Sequence, residues 1–296
     1  RPCLTGLILF ILFFFAPALL EQARANVGLS IQPVKVSHTI NPGESAFGVI
    51  SLSNVSDDEV KVDIELRDFV PMAGTYNLQF VGRAPGLTTV RDWISLDAPA
   101  SFILGKSEAK EIGYTIAAPG NAEPGGHFGT IFFKASNPKE EGQLKVSTQV
   151  GMLIFATVPG PNLQKGKILD FTGPKFVLGP KKIGDIFKRK PPVMSFTVKF
   201  ENTGTVHFEP KGTIKINKGK KEIKEIGIDG QIVLPTGVRD IAGDWQPENL
   251  LFGRYKAKAK MVDGEGNELT TKEISFFAFP LWFILTFAAI VAGIFF

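Results

Sequence analysis

The chain has 296 residues, 33 basic and 29 acidic, with a formal net charge of +4, 31 glycines, 20 prolines and one cysteine. A charge this small does not argue for a nucleic-acid partner, which usually leaves a concentrated basic stripe. The lone Cys3 excludes an internal disulfide, and its place in the first apolar run removes thiol chemistry from everything after it.

The apolar run from Leu7 to Leu20 is followed by Ala23-Arg-Ala25, a small-x-small cleavage pattern. It reads as a secretory signal over residues 1–25, with an uncleaved membrane anchor as the other reading. Removing it leaves 31 basic and 28 acidic residues, a charge of +3. With no initiator Met, the sequence is read as part of a slightly longer frame.

From there the dominant period is two. Strands are expected over Gly28–Val36, Ala46–Ser53, Val60–Arg67, Glu111–Ala117, His127–Ala135 and Leu144–Val158. Val60-Lys-Val-Asp-Ile-Glu-Leu-Arg67 alternates apolar and charged residues, one face for a core and one for water. Asn41-Pro-Gly43 and Pro124-Gly-Gly126 mark turns. Pro159-Gly-Pro161 stops a strand and sets a boundary near residue 160. The second half opens with Leu163–Phe171, continues through an irregular stretch over Thr172–Pro192, and resumes alternation at Phe196–Glu201, Gly212–Asn217, Tyr255–Met261 and Glu268–Phe276. Phe276–Phe296 is 21 residues without a charge, long enough for a membrane helix.

Two stretches repeat one another. Val49-Ile-Ser-Leu-Ser-Asn54-Val-Ser and Phe196-Thr-Val-Lys-Phe-Glu-Asn202-Thr-Gly each run an alternating strand onto Asn and turn on small polar residues. An early hairpin of an immunoglobulin-like sandwich reads this way, and one copy per half implies two such domains. The fold expected is therefore all-β: a signal peptide (1–25), two tandem immunoglobulin-like β-sandwiches (26–160 and 161–275) and one transmembrane helix (276–296).

No catalytic motif stands out. His38, His127 and His207 lie in three different strands with no close-spaced partner, so no metal or cofactor is expected. Asp263-Gly-Glu-Gly-Asn267 spaces oxygens like a calcium loop but fails the rest of that pattern, and reads as a hairpin turn. Leu234-Pro-Thr-Gly237 lacks the extra residue of a sortase signal and reads as a strand end and turn. Lys218–Lys224 reads as a charged hairpin tip. Two features remain as candidate binding residues. One is the basic cluster Lys181, Lys182, Lys188, Arg189 and Lys190, able to meet phosphates by charge. The other is Gly125-Gly126-His127, where paired glycines let backbone approach a partner closely.

The order of these parts resembles the bacterial WxL-interacting surface proteins. The likeness is carried by Ile31-Gln-Pro-Val34, Asn41-Pro-Gly-Glu44, Ser51-Leu-Ser-Asn54, Pro124-Gly-Gly-His-Phe-Gly-Thr-Ile131, Phe200-Glu-Asn-Thr-Gly204 and Val233-Leu-Pro235. The resemblance implies an immunoglobulin-like peptidoglycan-binding domain, a second β-sandwich and a single membrane helix. The expectation is a non-enzymatic protein of the cell surface, with an extracytoplasmic N-terminal part and one membrane pass. Its partners would be a cell-wall polymer or a surface protein, not a small-molecule substrate. The alternative is an extracytoplasmic assembly or secretion chaperone of the pilus-chaperone type, favoured by an exposed strand or a groove between the domains.

Overall fold

A computed structural model of the chain describes residues 27–72, 75, 77–84, 89–138, 147–160, 164–179 and 191–295. The segment expected to be a signal and the basic cluster at 181–190 lie outside the described residues. The described chain is all-β with one C-terminal helix.

The first ten strands are β1 (Leu29–Gln32), β2 (Lys35–Thr39), β3 (Ser45–Asn54), β4 (Val60–Pro71), β5 (Leu78–Val81), β6 (Ile94–Leu96), β7 (Ser101–Leu104), β8 (Ala109–Ala117), β9 (Gly125–Ser136) and β10 (Ser147–Val158). One sheet runs β1-β3-β8-β6 and the other β2-β10-β9-β4-β5, with β7 also on β4. The expected single strand over 28–36 is two strands, because Pro33 offers no N–H to a ladder. β1 pairs antiparallel with β3, and β2 crosses to pair parallel with β10. Ile50, Leu52, Ile112 and Ile116 of one sheet meet Val62, Ile131, Phe133 and Ile154 of the other in one core. The alternating residues Val60 and Val62 are buried while Lys61 is exposed, as the period of two requires.

One buried carboxylate holds the top of this sandwich. Asp68 on β4 accepts from the N–H of Ala84 (2.8 Å), Val90 (3.3 Å) and Arg91 (3.1 Å) and from the Thr89 hydroxyl (2.6 Å). It ties the one-turn 3-10 helix Arg91–Trp93 back onto the sheet.

The pairings divide at the connection after Val158. β11 (Gly166–Thr172), β13 (Met194–Asn202) and β16 (Val238–Trp245) form a third sheet. β12 (Phe176–Gly179), β18 (Glu268–Pro280), β17 (Gly253–Val262), β14 (Lys211–Lys218) and β15 (Lys221–Asp229) form the fourth, in that order. Phe196, Val198 and Phe200 face Ile214, Ile216, Ala257, Ala259 and Met261 in a second core. β12 lies inside the stretch expected to be irregular; it is a four-residue edge strand held by parallel pairing to β18, a partner a hundred residues away.

The structure also differs from the expectation at residues 276–280. They belong to β18, and the helix α1 is Leu281–Phe295. Phe276 and Ala278 point into the second core. Burying one phenylalanine is worth about 2–3 kcal/mol, more than the few tenths per residue by which apolar residues differ in helix preference. Pro280 then stops the ladder and opens the helix, where its missing N–H costs least. No helix among the described residues is long and apolar enough to cross a membrane; α1 has 15 residues, against about 20 for a bilayer core.

Candidate functional site

Two features could serve binding: the junction between the sandwiches and an unpaired edge. The junction begins with the paired glycines that open β9. Gly125 takes φ +140°, which a side chain would resist. Gly126 donates its N–H to the Thr205 carbonyl of the second sandwich at 3.1 Å. A Cβ on Gly126 would sit 2.5 Å from the Phe128 ring, so a side chain there would have to move that ring out of its place behind the contact.

Behind this contact Phe69, Phe128 and Phe155 of the first sandwich close over Leu234 of the second. The His207 ring packs against Phe155 (centroids 5.0 Å) and Phe128 (5.5 Å). Burial pushes its pKa down to about 4, aided by the charge of Lys35 and opposed by Glu209. Lys35 and Glu209 form an exposed ion pair at 3.7 Å across the rim, worth little in water. Val238 adds an N–H to the Thr75 carbonyl at 3.2 Å.

Clefts open on either side of this seam. One, of about 430 Å³, is lined by Val70, Pro71, Pro124, His127, Thr205 and Pro235. The other, of about 530 Å³, carries Lys35, Glu209, Asp229 and Arg239 around Leu78 and Leu153. His127, buried, donates Nε2–H to the Glu123 carbonyl (2.9 Å) and lies 4.4 Å from the Trp93 ring; its Nδ1 has no hydrogen-bond partner. His38 instead pairs with the Tyr114 hydroxyl at 3.1 Å, and burial lowers its pKa. The three histidines thus serve three different packings. No cluster of three potential metal ligands exists among the described residues.

The second feature is β10. It pairs with β9 along its whole length, but β2 covers only Leu153–Thr157 on its other side. The Leu153 N–H points to that side, donating to Val34. By the alternation of a strand, the main-chain groups of Ser147, Gln149 and Gly151 point the same way. No strand among the described residues pairs with them there. The Thr148 hydroxyl reaches across to the Val27 carbonyl at 2.6 Å.

The sequence brought out Gly125, Gly126 and His127, and the structure places all three at the junction. Lys181, Lys182, Lys188, Arg189 and Lys190 fall outside the described residues. The apolar seam and the half-covered edge were missed, since Phe69, Phe128 and Phe155 do not stand out from the phenylalanines that two cores require. Asp263 is a turn residue: its carboxylate accepts from the Asn267 side-chain amide (3.0 Å), the main cause of its lowered pKa, and from the N–H of Asn267 (2.8 Å) and Glu265 (2.9 Å).

No family model and no curated protein sequence matches the chain. Among solved structures it is similar to the Escherichia coli chaperone DraB (14% identity, 86% of this chain and 98% of that one, TM-score 0.37). It is similar also to the class 5 fimbriae chaperone CfaA (14%, 85% and 100%, 0.40). A protein of unknown function from Porphyromonas gingivalis gives 12%, 84% and 99%, with a TM-score of 0.30. Scores this low carry no functional argument.

Proposed function

We propose that the chain is a non-enzymatic binding protein built of two tandem immunoglobulin-like sandwiches and held at the outer face of a cell membrane by its uncharged C-terminal segment. It binds an extended segment of a partner protein by strand addition to the open half of β10. The observation that supports this is the main-chain edge of β10 at Ser147, Gln149 and Gly151, which faces away from β9 and meets no strand among the described residues. An added strand satisfies such groups with regular hydrogen bonds, and the side chains at alternate positions supply selectivity. Edges of this kind are usually blunted by charge or proline, and Ser147–Met152 carries neither. This reading covers both a surface-protein partner and a chaperone's client, since either presents an extended strand.

Gln149→Pro removes the central N–H while leaving the ladder to β9 in place, because that N–H points outward. Retention of surface-protein extracts on the immobilised full chain should fall about ten-fold, the worth of ~1.4 kcal/mol, with unchanged unfolding. Equal retention by wild type and variant would refute strand addition.

A second reading, contact with a cell-wall polymer, rests on Phe47. Its ring is 71% exposed on the outer face of β3, beside Ser95 and Asp97. An apolar ring flanked by a carboxylate and a hydroxyl suits a sugar ring and its hydroxyls. Phe47→Ser should reduce retention on purified cell wall without touching retention of proteins; no change on wall would exclude this surface.

A further inference from the structure

The far end of the second sandwich carries more apolar and basic surface than its own packing needs. β18 runs into α1 without a linker. On the outer face of the sheet, Phe176 stacks on Phe277 (centroids 6.0 Å) and Phe277 on Phe279 (6.5 Å), which in turn stacks on Phe283 of α1 (6.0 Å). Phe252 closes the column edge-on against Phe279 and Phe283. These rings are not hidden: Phe176 is 70% exposed, Phe252 45% and Trp282, at the start of α1, 58%. A contiguous apolar surface of this kind marks a contact with something apolar.

The same end is basic. β17 begins here, with Gly253 opposite Ala278 and Arg254 opposite Phe277. The hairpin between β14 and β15 turns beside it: the Lys218 ammonium lies 5.6 Å over the Tyr255 ring, and Lys220 and Lys221 complete the tip. The neighbouring acids are engaged or few. Glu273 is paired with Lys256 (2.7 Å) and Glu222 with Lys215 (3.1 Å), leaving Asp244 near the end of β16 and Glu248 in the connection that leads to Phe252. At about 3.4 Å per strand residue, the tip at the level of Phe276–Ala278 is ~10–17 Å short of α1. That is within a lysine's length plus a Debye length of a lipid headgroup layer at the base of the helix.

We propose that this end of the second sandwich is a seat on the bilayer surface. The aromatic column enters the interfacial layer, and Lys218, Lys220, Lys221 and Arg254 engage anionic lipid headgroups. The inference rests on the membrane attachment proposed above and deepens it. A lipid surface fits better than a protein partner for two reasons. The column is continuous with a helix that has no charged residue on any face. Aromatic rings next to lysines at a helix entrance are also the composition that bilayer interfaces select. The sandwich is then held at a fixed attitude to the membrane instead of swinging on a stalk.

The test uses the full chain with Cys3→Ser, reconstituted into phosphatidylcholine vesicles with or without phosphatidylglycerol. An environment-sensitive fluorophore is placed by Lys220→Cys at the tip, Glu265→Cys at the opposite end of the same sheet, or Leu285→Cys in α1. Quenching is by lipid spin-labelled at the headgroup or along the acyl chain. The expected result is acyl-chain quenching at 285, a blue shift with headgroup quenching at 220 only when phosphatidylglycerol is present, and neither at 265. Quenching at 285 with position 220 behaving like 265 overturns the seat and leaves the attachment standing. No quenching at 285 overturns both. Quenching at 220 without phosphatidylglycerol overturns the anionic recognition. Phe176→Ser, at an exposed position, should weaken the signal at 220 while leaving that at 285 intact; an unchanged signal at 220 overturns the role of the column.

Discussion

In the first sandwich β3 ends on Asn54, whose side-chain amide donates to the carbonyls of Asp58 (2.7 Å) and Gly105 (2.8 Å) while its oxygen accepts from Ser56 N–H (2.9 Å). In the second, β13 ends on Asn202, whose amide donates to Val206 and Val233 (2.8 Å each) while its oxygen accepts from Gly204 N–H (2.8 Å). The likeness extends to the turn facing each asparagine. Gly105–Glu108 and Leu234–Gly237 each return an N–H to the turn's first carbonyl, at 3.1 and 2.9 Å, and each holds a non-glycine residue at positive φ, Ser107 (55°) and Thr236 (64°). The surroundings differ. The Asn54 corner is partly open to solvent at the far end of the molecule. The Asn202 corner faces the first sandwich, and its turn contributes Leu234 to the shared apolar seam. One device closes a free end in one copy and builds a joint in the other.

The largest break in this symmetry is Asp68, which has no counterpart among the described buried polar residues of the second sandwich. Asp68→Ala strands four donors at once and should cost about 4 kcal/mol, confined to the first sandwich. Denaturant unfolding followed at Trp93 and Trp245 separates the two; an equal shift of both transitions would show that the sandwiches unfold as one unit. The asparagine corners come next. Asn202→Ala should cost about 3 kcal/mol and Asn54→Ala about 2, because water can replace the bonds at the more open corner. Reversal of that order would contradict the burial argument.

A third difference is acid response. The folded-state pKa of His207 near 4 lies below its ordinary 6.5, so the unfolded chain binds the extra proton between those values. Stability is whole above pH 6.5 and is lost as pH falls toward 4, by about 2 kcal/mol at pH 5. His207→Gln should flatten that slope at Trp245, and a slope that survives assigns it to another group. The smallest effect concerns the turns. Thr236→Gly should stabilise by about 1 kcal/mol and Ser107→Gly by about half that, since branching at Cβ makes positive φ costlier for threonine. Thermal unfolding of the two variants side by side tests the ranking.

These corners were legible because they are local: an alternating strand, an asparagine, small polar residues, another strand. The facing turns were not, since 51 residues separate Asn54 from Gly105 and 31 separate Asn202 from Val233. Asp68 lies just past the expected strand Val60–Arg67 and carried no signal there; only the fold brings Ala84, Thr89 and Arg91 over it. Phe276–Pro280 misled for a different reason. Both faces of that strand end are apolar, Phe276 and Ala278 inward and Phe277 and Phe279 outward, so a period of two leaves no trace in hydropathy. Of the junction, only Gly125, Gly126 and His127 showed in the sequence.

The unbroken passage from β18 into α1 has a mechanical consequence. A pull on the helix is delivered end-on to β18, which lies between β17 over ten residues and β12 over four. The hydrogen bonds of a ladder run across the strands, so this load shears them together instead of peeling them one at a time. Resistance is concentrated in the strand nearest the helix, while the junction at Thr205 and Leu234, with its smaller seam, would give first. Under tension the molecule would lengthen by parting its two sandwiches before either one unravels.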